Sequence, residues 1–136
     1  MAEYMLRARL GSNSGWETTS AGLSAIYGAP ASETAIEVLK EHGIDIRPHR
    51  SRPVNKESVD AASLIVVMTA SHRDQIQALY PDATEKVFLL KSFDSSVDGG
   101  DIEDPIGLSI DMYCKIRDEI DAALPGLVEF MNSLDV

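Results

Sequence analysis

The sequence predicts an α/β fold: a three-layer domain in which a parallel sheet lies between helices on both faces. Two runs carry that reading, LIVVM (64–68) and KVFLL (86–90), each a continuous apolar stretch of strand length of the kind covered on both faces. The third observation is the setting of these runs. They alternate with segments of helical periodicity, and strands alternating with helices pair in parallel. A chain of 136 residues, 44% hydrophobic and 25% charged, has the size and mixture of one soluble globular domain, taken here as residues 1–136.

The elements follow in chain order. MAEYMLRARLG places Ala2, Met5, Leu6 and Leu10 at helical spacing and Gly11 as a stop, yet nothing precedes Met1 to cap the helix. WETTSAG (16–22) reads as a short strand entering a turn. Within GAPASETAIEVLKEHGI (28–44), Ser32 is the expected cap, Ala35, Ile36 and Leu39 share a face, and Gly43 ends the helix with Ile44 as the following apolar contact. Asn55 caps a short helix in RPVNKESVDAAS (52–63). Beyond LIVVM, Ser71 and Asp74 stand at capping-box spacing for a helix that stops at Pro81. After KVFLL, the stretch DSSVDGGDIEDPIG (94–107) is a surface loop. Ile110, Tyr113, Ile116, Ile120, Leu124, Leu127 and Met131 then mark a final helix, with Ser109 as its cap. Pro125 costs a helix interior roughly 3 kcal/mol, so a kink or break is expected there.

Composition narrows the function. A net charge of −10 argues against nucleic acid, since neutralising phosphates needs clustered Lys and Arg, and Arg47, Arg50 and Arg52 form the one basic run. The single cysteine, Cys114, allows no internal disulfide and no cysteine-based zinc site, which fits a reducing cytoplasm. No apolar stretch has the length of a membrane span, and MAEYMLRARL lacks the apolar core of a signal peptide. No repeat or low-complexity tract is present.

Three segments, MAEYMLRARL, PHRSRPV followed by AASLIVVMTASHRDQI, and KVFLLKSFDSSVDGGDIEDPIGLSIDMYCKIRDEI, give the chain a resemblance to a family. Together they resemble the low-molecular-weight protein-tyrosine phosphatases, most closely the bacterial branch that contains protein-arginine phosphatases. The resemblance covers essentially the whole chain, and the third segment is the most specific. In that family a buried, central first strand and a phosphate-binding loop, Cys, five residues, Arg, then Ser-Pro, come just before the counterpart of MAE. Neither is among these 136 residues. The expectation is therefore a phosphatase-like domain with its first central strand missing, truncated at the N-terminus by a start placed too far downstream or by a shortened gene. A helix that normally continues out of an anion-cradling loop would then look uncapped, as this one does. The strand's absence would expose unpaired backbone on 16–22 and 64–68, so the chain is expected to dimerise, exchange elements, or close the second strand against the third.

The resemblance implies a cysteinyl-phosphate route acting on a phosphorylated protein substrate, with no metal or other cofactor. Asp104, in EDPIG, matches the family's general acid, the group that protonates the departing oxygen or nitrogen. By pattern alone, Asp before Pro marks a turn, and Glu103 an exposed loop carboxylate. Ile106 stands where relatives carry an aromatic residue beside the substrate, so stacking on a phosphotyrosine ring is not available to it. Ser20 and His49 match positions that support the phosphate loop; otherwise they are a strand-end turn residue and a partly exposed loop histidine. His42 and His72 read as a helix C-terminal and a first-turn surface residue. Cys114 is no nucleophile of this type, because position 120, where the phosphate-clamping Arg would stand, is Ile. One thiol also excludes an arsenate-reductase relay, which passes a disulfide between several.

Two alternatives stand beside the enzyme. One is a non-catalytic remnant that binds phosphoproteins or itself. The other is a response-regulator receiver, suggested by LIVVMTA and by Lys91 after the next strand, although the acidic phosphoacceptor and acidic pair it requires are not visible.

Overall fold

The computed structural model describes residues 1–12 and 14–134. Five helices and two strands follow one another as α1 (Ala2–Leu10), α2 (Glu33–Lys40), α3 (Lys56–Ala61), β1 (Ile65–Val67), α4 (Ala70–Leu79), β2 (Val87–Leu89) and α5 (Ile110–Ser133). β1 and β2 pair in parallel, Ile65 opposite Val87 and Val67 opposite Leu89.

The period-two alternation of the strands separates the two faces of the sheet. Leu64, Val66 and Met68 pack with α1, α2 and α5 around Met5, Val38, Leu39, Ile46, Leu124 and Leu127. Ile65 and Val67 pack the other way, with Val59 of α3, Ile76 of α4 and Val87. Phe88 joins Phe93 and Phe130 of α5, ring centroids 5.2–5.9 Å apart. The arrangement is the expected three layers, helices on both faces of a parallel sheet.

Local chemistry accounts for most boundaries. α1 begins without a capping side chain, and Gly11 at φ 75° closes it. The Ser32 hydroxyl accepts from the Ala35 N–H, and past α2 the Ile44 N–H reaches back to the Leu39 carbonyl around Gly43 at φ 74°, a left-handed stop. Asn55 and Ser58 form a reciprocal capping box on α3. Lys86 donates to the Val59 and Ala62 carbonyls at 2.7 Å, satisfying the other end of that helix.

Four expectations are corrected. Residues 16–22 form no strand: Trp16, Thr18 and Ser20 are half-buried between exposed neighbours, a strand-like alternation, but the one bridge is Gly22 to Pro53. Arginine side chains stand in for a ladder, Arg7 donating to the Thr18 hydroxyl and carbonyl and Arg52 to the Ser20 carbonyl. LIVVM is packed on both faces as expected but is not buried throughout. Only Val67 is buried and the rest are half-buried, because among the described residues β1 is laddered on one edge alone. α4 is capped by Thr69 rather than by Ser71 and Asp74, its hydroxyl accepting from the His72 N–H. Last, α5 runs through Pro125 unbroken. Proline forfeits one N–H bond, but Ala123, Leu124 and Leu127 on either side are buried in the same core, and burial of each large side chain is worth about 1.5–3 kcal/mol. Pro81–Lys86 and Leu90–Phe93 add 3-10 turns that the periodicity did not show.

Candidate active site

The loop between β2 and α5 is fastened across the carboxyl end of β1. Ile102, buried, donates its N–H to the carbonyl of Met68, the residue that follows the strand. The Asp101 carboxylate accepts from the Ala70 N–H in the first turn of α4, at 2.8 Å. Pro105 is buried as well, so Asp104 is carried on a loop pinned on both sides. Asp104 is exposed, and its Oδ1 accepts the Ile106 N–H at 3.1 Å. That bond is the turn that Asp-Pro chemistry predicts, and Oδ2 has no protein donor among the described residues. Ile106 beside it is 70% exposed.

Ser20 and His49 converge on a residue that the sequence reading passed over. Glu3, in the first turn of α1, has a side chain only 9% exposed. Its Oε1 accepts from the Ser20 hydroxyl at 2.5 Å and lies 3.6 Å from His49 Nδ1. Its other oxygen pairs with Arg7, which lies over the Tyr4 ring at 4.6 Å, and the same ring meets His49 edge-on at 5.9 Å. One carboxylate thus ties α1, the 16–22 segment and the 45–54 loop together. Sequence offered only a first-turn Glu with Arg four residues on, a pairing common on solvated helix faces.

The start of α1 links this cluster to Asp104. Burial lowers the pKa of the Met1 α-amino group against the upward pull of Glu3 and Asp104, so both carboxylates lie within electrostatic reach of it. Ser20 and His49 thus meet at the start of α1 through Glu3, while Asp104 and Ile106 stand on the loop fastened at the carboxyl end of β1. Burial also holds His49 below the ordinary histidine value, opposed by Glu3 and reinforced by the Met1 amino group, Arg52 and Arg50.

The remaining candidates lie elsewhere. Cys114 is half-buried on α5 in an open depression of about 570 Å³ lined by Lys91, Asp94, Asp111 and Asp118 among others. Ile120, six residues on, is buried in the core. Lys91, the lysine of the receiver reading, is paired with Glu119 of α5 at 3.0 Å. Among the described residues no group of His, Cys, Asp and Glu is arranged to hold a metal ion, and no helix is long and apolar enough to cross a membrane.

Comparison with known proteins decides the family. The pattern of the family described as low molecular weight phosphotyrosine protein phosphatase matches residues 1–135. The chain belongs to that family. Among its relatives is a protein-arginine-phosphatase of Geobacillus stearothermophilus, 44% identical over 119 residues that span 88% of this chain and 79% of the relative. A probable low molecular weight protein-tyrosine-phosphatase of Ralstonia solanacearum, EpsP, is 36% identical over 129 residues, 92% of this chain and 84% of its own. The solved YwlE arginine phosphatase from G. stearothermophilus superposes with a TM-score of 0.87 at 39% identity, covering 97% of this chain and 83% of that one. Membership in this phosphatase family displaces the receiver alternative.

Two outcomes follow from the Glu3 cluster. Glu3→Gln keeps the shape but loses the charge that Arg7, Ser20 and His49 share, and urea unfolding should show a loss of about 1–2 kcal/mol. His49 should titrate by NMR below the ordinary midpoint of about 6.5. With the folded value depressed, the unfolded state takes up the proton first. His49 therefore costs no stability at neutral pH, and its contribution falls as pH drops from about 6.5 toward the folded value. A midpoint above 6.5 would mean that Glu3 outweighs burial.

Proposed function

We propose that the polypeptide carrying these residues is a protein phosphatase that works through a cysteinyl-phosphate, with Asp104 as its proton donor. The observation that supports this most is the placement of Asp104. It stands on a loop pinned at the carboxyl end of β1, with one carboxylate oxygen free of protein donors among the described residues. In the proposed reaction a thiolate attacks phosphorus, the bond from phosphorus to the side-chain oxygen or nitrogen breaks, and Asp104 passes its proton to the leaving atom. Water then attacks the cysteinyl-phosphate, releasing phosphate and restoring the thiolate, while the carboxylate takes back a proton.

Ser20 and His49, held by Glu3, are proposed to support the loop that binds phosphate, and Ile106 to flank the substrate side chain. An aliphatic wall gives contact area without the aromatic stacking that favours phosphotyrosine, and two relatives of this chain carry arginine-phosphatase names. Phosphoarginine is accordingly the favoured substrate.

The 136 residues contain no Cys-x5-Arg run, and their one thiol, Cys114 on α5, is followed six residues on by Ile120. The 136-residue chain by itself is thus proposed to be without turnover, its nucleophile belonging to sequence outside it. The intact mass of the native gene product tests this. A product extended to include Cys, five residues and Arg supports the enzyme. A native product of the 136 residues alone favours the second reading, a non-catalytic phosphoprotein-binding form in the cytoplasm, for which the lone Cys114 followed by Ile120 is the specific observation.

A further inference from the structure

The chain carries 22 acidic side chains against 12 Lys and Arg, so basic groups have partners in excess. Five of its arginines use them: Arg7 pairs with Glu3, Arg9 with Asp121, Arg47 with Asp45, Arg73 with Asp74, and Arg117 with Glu41 and Asp118. Among the described residues, Arg50 and Arg52 are the two arginines with no carboxylate within ion-pair distance. Both are exposed and both border the candidate site, flanking Ser51 in the segment that follows His49.

Their positions are fixed, and their charge is left facing outward. Arg50 is anchored by a backbone bridge to Pro30, and its Nη1 donates to the Arg47 and His49 carbonyls at 2.8 and 2.7 Å. Arg52 donates from Nε to the Ser20 carbonyl at 3.0 Å. The Ser51 hydroxyl between them donates to the Ile26 carbonyl and accepts the Ala29 N–H, so the alternation of an extended segment places Arg50 and Arg52 on the opposite side together. The bonds to main-chain carbonyls occupy one part of each guanidinium. The Nε and Nη2 edge of Arg50 and both Nη groups of Arg52 have no protein acceptor among the described residues, and such an edge is what a carboxylate engages in bidentate fashion.

We propose that Arg50 and Arg52 form a basic rim that holds acidic side chains flanking the target residue of a protein substrate. The proposal rests on the phosphatase reading of the neighbouring site, and it names the class of substrate: phosphoproteins whose modified residue lies in an acidic stretch.

The test is a titration of the 136-residue chain, followed by NMR, with two unphosphorylated peptides that differ only in carrying Glu or Gln around a central Arg. At low salt the Glu peptide is expected to bind about fivefold more tightly and to shift the amides of Arg50, Ser51 and Arg52, as two exposed ion pairs allow. The Arg50→Gln/Arg52→Gln double variant should lose the difference, the Arg50→Lys/Arg52→Lys variant should keep most of it, and about 0.5 M salt should abolish it in the parent chain. Equal affinity for the two peptides, or a preference that persists in the Gln variant or at high salt, would overturn the proposal. Should the Gln variant fail to fold, the Lys variant and the salt series still decide. Because neither peptide carries phosphate, failure of the catalytic reading would leave this ratio untouched, whereas failure of the rim would leave turnover by a loop-bearing form untouched.

Discussion

Asp104→Asn, made in a polypeptide that carries the Cys-x5-Arg loop, is expected to lower kcat on a phosphoprotein about a hundred- to ten-thousandfold, the usual worth of a positioned general acid. The loss should depend on the leaving group. A protein side chain departs as a strongly basic oxygen or nitrogen and requires the proton, whereas p-nitrophenolate leaves unaided, so the same variant should lose far less on p-nitrophenyl phosphate. KM should change little, because Asn preserves the bond from Oδ1 to the Ile106 N–H and with it the turn. An equal loss on both substrates would assign Asp104 to holding the loop rather than to proton transfer.

The largest expected effect on stability is at Gly126, far from that chemistry. A Cβ there would stand 2.0 Å from the Phe93 carbonyl oxygen and 3.1 Å from its carbon, backbone atoms of the turn that follows β2. That turn cannot simply withdraw, since Leu90 at its start is buried and Phe93 packs on Phe88 and Phe130. Gly126→Ala should therefore cost about 3 kcal/mol or more in urea unfolding, the upper range for overpacking. Gly43→Ala gives the contrast. It meets no atom within 4 Å and is strained only by its φ of 74°, so a loss of about 1 kcal/mol is expected. Comparable losses would show that α5 can shift away from the turn.

Gly126 also explains why the passage of α5 through Pro125 was illegible. Proline argues locally for a break, but the next residue, Gly126, lets the helix lie close against the Phe93 backbone of the turn after β2, and both halves of α5 bury apolar residues into a single core. The caps at Ser32 and Asn55 were readable because each lies within its own helix's first turn. The start of α4 is capped just as locally, by Thr69, but Ser71 and Asp74 offer a competing capping-box spacing two residues further on. Residues 16–22 show the limit of pattern in another way. Their alternation is present, yet a strand also needs a neighbour, and the pattern does not say whether one is there.

The site divides along the same line. Asp104, Ile106, Ser20 and His49 are named from likeness to a family; the structure joins Ser20 and His49 through Glu3 and sets Asp104 and Ile106 on the loop across the end of β1. Glu3, which binds two of them, was hidden because a first-turn glutamate on a helix is ordinary. Arg50 and Arg52 were visible as members of a basic run, but their lack of partners was not, because pairing is decided by segments distant in sequence.

In the proposed function Asp104 gives the proton and the attacking sulfur lies in a Cys-x5-Arg run, which these 136 residues do not contain. Incubation of the purified 136-residue chain with p-nitrophenyl phosphate, beside its Cys114→Ser variant, tests that most directly. Release of p-nitrophenol should match the buffer blank for both proteins. Hydrolysis by the parent chain that disappears in Cys114→Ser would contradict the account and make the thiol on α5 the nucleophile.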